Sequence, residues 1–193
     1  MEKFLMGILS ICLLFNSCGG EEEQTEEVSE DHPEIDLPFE EGGAKTPNAY
    51  FDGVVLQVKA VDNKLRHVFD LDEMNASTDS ITSELDSMKT MIAEAKEVLK
   101  LYEDKDWPKR DEFQNLTLDW YNGMEHLVMD YLYAMAEPMS RPDKTWTTEE
   151  QDFYDEYAEA YYEFYEVDQA WVEFQAEFAE ANNFKLKEEE AEL

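Results

Sequence analysis

The chain has 193 residues, 48 of them acidic against 15 basic, and a formal net charge of −33 at neutral pH. That balance repels a phosphate backbone, which excludes nucleic acid as a partner, and it offers no Lys/Arg-rich face for docking on anionic lipid. Only two cysteines, Cys12 and Cys18, are present, too few for a disulfide framework, and no Cys-x-x-Cys-His run exists to attach a haem.

Met1-Glu2-Lys3 opens the chain, followed by an apolar run from Phe4 to Phe15 broken by Gly7 and Ser10. The run is shorter than the roughly 20 residues a helix needs to cross a bilayer, but it has the size of a signal-peptide core. Asn16-Ser17-Cys18 follow, then Gly19-Gly20 and Glu21-Glu22-Glu23, which no apolar interior would accept. Leu14-Phe15-Asn16-Ser17-Cys18 resembles the lipobox of bacterial lipoproteins of the Bacteroidetes type, with a small residue before the cysteine and Phe15 where Leu is usual. The resemblance implies a signal peptide over 1–17, a diacylglycerol on the Cys18 thiol, and a membrane partner through that lipid. The acidic run behind Cys18 resembles the signal for the outer membrane's outer face, with a periplasmic orientation as the alternative. Cys12 leaves with the signal peptide and Cys18 is consumed by lipid, so the mature domain keeps no thiol.

Residues 18–45 read as a lipidated, disordered acidic tether. Residues 21–41 hold eleven carboxylates and no Lys or Arg, and Pro33 and Pro38 prevent a continuous helix. So few apolar groups cannot offset the entropy of ordering, and like charges extend the chain. Ile35, Leu37 and Phe39 are the residues through which it would dock on the domain.

Residues 46–184 predict an all-α fold, a four-helix up-and-down antiparallel bundle. Thr46-Pro47 reads as an N-cap with proline in the first turn. Steps of three and four then place Phe51, Val54, Val58, Val61, Leu65 and Val68 on one stripe. Ile81, Leu85, Met88, Ile92, Ala95, Leu99 and Tyr102 form a second, and Phe113, Leu116, Trp120, Met124, Leu127, Tyr131 and Met135 a third. Thr147 and Glu150 form a capping box before the fourth: Phe153, Tyr157, Ala160, Phe164, Val167, Trp171, Phe174, Phe178 and Ala181. Heptad-like steps favour shallow packing, and the short breaks near 73–78 and 103–108 make consecutive helices antiparallel neighbours. Flanking apolar residues, among them Leu56, Phe69, Tyr121 and Val128, widen the stripes. A third break spans Glu137 to Trp146, and residues 185–193 read as a charged, frayed end.

Little in this pattern carries chemistry. Di-iron bundles use Glu-x-x-His pairs, but Lys64 precedes His67 and Gly123 precedes His126 at that spacing. His126 and Asp130, four apart, suit a solvated ion pair better than a metal site. Asp70 to Asn75 lacks the third acid and the glycine of an EF-hand loop. No metal and no cofactor are expected. Tyr154, Tyr161, Tyr162 and Tyr165 form a candidate binding surface for a glycan or protein, against the plainer reading of a wide core edge. Trp107 and Trp146 fall at opposite bundle ends, each plugging the core there. Asp79-Ser80-Ile81 and Asp86-Ser87-Met88 resemble the O-glycan acceptor motif of exported Bacteroidetes proteins, making Ser80 and Ser87 candidate glycosylation sites.

The sequence therefore predicts a noncatalytic envelope lipoprotein whose bundle scaffolds an interaction, with a protein partner favoured. The alternative is a small-molecule or divalent-metal module in the bundle core or at an end, for which a cavity lined by Trp120, Tyr131 and Trp171 is the expected feature.

Overall fold

Thr46 has extended backbone and its Oγ1 accepts the Ala49 N–H at 3.2 Å, so the capped helix α1 runs Pro47–Glu73 with proline in its first turn. The computed structural model describes residues 44–141, 143 and 145–186. The signal segment, Cys18, Ile35, Leu37, Phe39 and residues 187–193 lie outside the described residues.

Asn75 turns the chain with φ 54°, a left-handed conformation its short amide tolerates. Ser77 then caps α2, Thr78–Lys100, by accepting the Ser80 N–H. The third rod has three parts: α3 over Arg110–His126, a π-helical stretch Leu127–Leu132, and α4 over Tyr133–Met139, with Pro138 in the last turn. The rod thus runs past Glu137, where the sequence placed a break. The reciprocal Thr147–Glu150 capping box opens α5, Thr148–Ala181. No strand occurs among the described residues.

Ring contacts fix the direction of each rod. Tyr50, near the start of α1, lies 4.8 Å from Tyr102 just past α2 and 6.1 Å from Phe113 near the start of α3. Phe178, near the end of α5, stacks on Phe113 at 4.7 Å and on Phe51 at 6.2 Å. One end of the bundle therefore gathers the start of α1, the end of α2, the start of α3 and the end of α5. That is an all-α bundle running up, down, up, down.

The first two stripes are buried throughout, as their spacing requires. On α5 the buried aromatics Tyr157, Phe164, Trp171 and Phe178 repeat every seven residues, while Phe153, Ala160, Val167 and Phe174 lie half-buried beside them. Three expectations are corrected. Leu56 points outward, 55% exposed, and Gln57 takes the inward position. Leu116 is only partly buried, with Gln114 and Thr117 inside instead.

The third correction has a cause in register. Leu132, Met135, Ala136 and Met139 form their own i, i+3, i+4, i+7 apolar face, out of phase with the face from Phe113 to Val128 by most of one residue's turn of about 100°. The π stretch takes up one extra residue and brings both faces onto the core. Tyr131 is thereby moved off the stripe to a half-buried place, and Leu132 is buried in its stead.

Candidate functional site

The chain enters the bundle at the end just described. Ala44 is buried, and its N–H donates to the Tyr102 hydroxyl at 2.7 Å. Ala44 itself lies inside the span, 18–45, assigned to the tether. Trp107 packs 5.5 Å from Tyr50 and 6.2 Å from Tyr102, plugging this end. Arg110 ties the approach to α3 together: its guanidinium donates to the Glu103 and Lys105 carbonyls and to Gln114 Oε1.

The core also takes in polar side chains. Tyr50, Gln57, Gln114, Thr117 and Tyr121 are all buried. Thr117 accepts the Trp171 indole N–H at 3.0 Å and donates to the Phe113 carbonyl at 2.8 Å, so it is satisfied. The Tyr50 hydroxyl, the Tyr121 hydroxyl and both amide atoms of Gln57 are buried without a hydrogen-bond partner. Such atoms each cost about 1–3 kcal/mol when left dry. Burial pushes the Tyr50 phenol well above its usual acidity range, with Arg110 opposing and Tyr102 adding to the rise. Burial does the same to Tyr121, and the nearby Tyr50 adds to it.

Sequence reading missed most of this set. The apolar spacing marks Tyr121 as a flanking core residue and singles out none of Tyr50, Gln57, Gln114 and Thr117. The available signal was the seven-residue spacing of Tyr50 with Gln57 and of Gln114 with Tyr121, each pair on one helix face.

The expected cavity of Trp120, Tyr131 and Trp171 does not form. Trp120 and Trp171 lie 6.4 Å apart and fill the space with their rings, and Trp120 donates to Asp168 at 2.8 Å. Burial raises the Asp168 pKa, Trp120 opposes the rise, and Asp62 adds to it. Tyr131 packs instead against His126, Phe153 and Tyr157.

The four candidate tyrosines do not share one surface. Tyr154, Tyr157, Tyr161 and Phe164 form a ladder of ring contacts, at 5.9, 6.1 and 6.3 Å in turn, along the core edge of α5. Tyr162 stands exposed and Tyr165 half-buried. Trp146 meets Tyr154 at 5.6 Å, plugging the far end of the bundle, opposite Trp107. Ser80 is exposed on α2, its hydroxyl 2.9 Å from that of Ser77, while Ser87 is half-buried. Next to Ser87, Asp86 accepts from Tyr133 at 2.5 Å; burial first and then this carboxylate push the Tyr133 pKa up to about 12.

His126 Nδ1 lies 2.5 Å from Asp130, with both side chains more than half exposed. Among the described residues no three His, Cys, Asp or Glu side chains are grouped to hold a metal ion. A shallow cleft of about 270 Å³ lies between Lys105 and Glu112, lined by Lys105, Lys109 and Arg110 beside Asp106, Asp111 and Glu112. Its cations are engaged, Lys109 by Glu177 at 2.5 Å and Arg110 by Asp111 at 2.7 Å. No protein family, curated protein or solved structure matches the chain.

Proposed function

We propose that this is a lipid-anchored protein of the bacterial outer membrane, displayed at the cell surface, whose bundle is a noncatalytic scaffold for a protein partner. The observation that carries this reading is the Leu14–Cys18 segment with its acidic follow-on. A lipid on Cys18 and a long, self-repelling tether would hold the domain away from the bilayer. Ala44 enters at the Trp107 end, so that end would be proximal to the membrane and the Trp146 end distal.

Support for a scaffold rather than a small-molecule receptor comes from the interior. The space between Trp120 and Trp171 is filled by their own rings, and the aromatic heptad of α5 continues through it. A glycan partner on Tyr162 and its surroundings is the second ligand class this reading admits.

The Cys18→Ser variant tests the anchor: it should fold like the parent and move from the membrane to the soluble fraction. If it still sediments with membranes, the lipid-anchor reading fails. Protease added to intact cells should digest the domain. Protection until the outer membrane is opened would move the domain to the periplasmic face.

A further inference from the structure

We propose that Tyr50, Gln57 and Tyr121 enclose a binding site for water inside the bundle, holding about one or two molecules between α1, α2 and α3. All three side chains are at least nine-tenths buried, and four of their polar atoms have no protein partner. Groups of this kind sit in native cores when ordered water completes their hydrogen bonds.

The helix registers bring them to one region. Tyr50 and Gln57 are seven apart on α1, and that column faces α2: Tyr50 packs at a tilt against Tyr102, and Lys64, one heptad beyond Gln57, donates to Glu84 of α2 at 2.6 Å. Gln57 falls midway between those two contacts, level with the Ile92–Ala95 turn of α2, where Ala95 presents a small side chain. Tyr121 lies on the flank of α3 that also meets α2, since Lys96 donates to Glu125 across that seam at 2.5 Å. The Tyr50 phenol is near enough to Tyr121 to add to the rise in its pKa.

The donor and acceptor chemistry selects the guest. Two phenols and a primary amide each both donate and accept, and none carries a charge. An ion would lose its hydration with nothing of opposite sign on these three residues to replace it. Water, small and neutral with two donors and two acceptors, matches the set.

Water-oxygen magnetic relaxation dispersion on the full chain tests this, because it detects water held long enough to tumble with the protein. The wild-type chain should show a dispersion step that falls in Tyr121→Phe and in Gln57→Leu. Tyr121→Phe keeps its ring in the core, so one variant remains informative if Gln57→Leu fails to fold. Each single substitution should also lower the denaturant midpoint, since it strands the remaining partners, and the triple variant with Tyr50→Phe should recover part of the loss. An unchanged step across wild type and variants overturns the proposal whatever the midpoints do, leaving the polar atoms dry or bonded directly to one another.

Discussion

Trp171 on α5 donates its indole N–H to the hydroxyl of Thr117 on α3, and that bond is buried at the centre of the most extensively packed pair of helices. Thr117 passes the bond on to the Phe113 carbonyl of its own helix. A short polar chain therefore pins the aromatic heptad of α5 in register against α3.

Thr117→Val keeps the side-chain shape but removes the acceptor, stranding a buried N–H. It should destabilise the protein by about 1–3 kcal/mol in chemical denaturation. Thr117→Ser should lose much less, because the hydroxyl remains. Equal losses in the two variants would mean that the methyl group, and not the hydrogen bond, matters here.

Gly123 is where α3 lets Phe164 approach. A Cβ at that position would sit 2.8 Å from Phe164 Cδ2, and the ring is held by Trp120 at 5.4 Å and Tyr161 at 6.3 Å. Gly123→Ala gains about 1 kcal/mol of helix propensity but forces a packed ring to move, which costs about 1–3 kcal/mol. A net loss of stability is expected, with recovery when Phe164→Leu is added. A double-mutant cycle without coupling would show that the ring yields freely.

Arg141 joins the last turn of the α3–α4 rod to the first turn of α5, donating to Glu137 and to Glu150. The hydrogen bonds from Arg141, and then the Thr147 N–H, hold the Glu150 pKa down to about 2 from an ordinary 4.5. A depressed carboxylate contributes stability that is fully present above its unfolded pKa and is lost as pH falls through the folded one. Stability should therefore fall between about pH 4.5 and pH 2, and Glu150→Gln should flatten that part of the profile. An unaltered acid limb in the variant would remove Glu150 from the acid response.

Tyr102 fastens Ala44, ahead of α1, to the bundle. Tyr102→Phe keeps the ring beside Tyr50 and Trp107 but frees the Ala44 N–H. Amide exchange at Ala44 should speed up more than tenfold, while the centre of α2 keeps its protection. Unchanged exchange at Ala44 would show that burial alone holds it.

Much of the bundle was legible in the residues. Spacing by three and four marks a face because a helix turns every 3.6 residues, and that rule depends on no neighbour. It located α1 and α2 fully, and Thr46-Pro47 and the Thr147–Glu150 box marked two helix starts because a cap is satisfied within its own turn. The candidate sites were less legible. Tyr154 and Tyr161 carry the same side chain as Tyr162, and only packing separates a core edge from an exposed ring.

The sequence by itself determined the helical class, the number of rods and most of the buried stripes, all consequences of local periodicity and capping. The tertiary structure alone decided three things. It chose the π turn that swaps Tyr131 for Leu132, since two apolar faces out of phase on one rod are reconciled only against a common partner. It turned Leu56 out and Gln57 in, because inwardness at the edge of a stripe depends on where the next helix lies. And it buried Tyr50 and Gln57 of α1 and Tyr121 of α3 with polar atoms that no protein group meets, an outcome set by the neighbouring helices and encoded by no spacing along one chain segment.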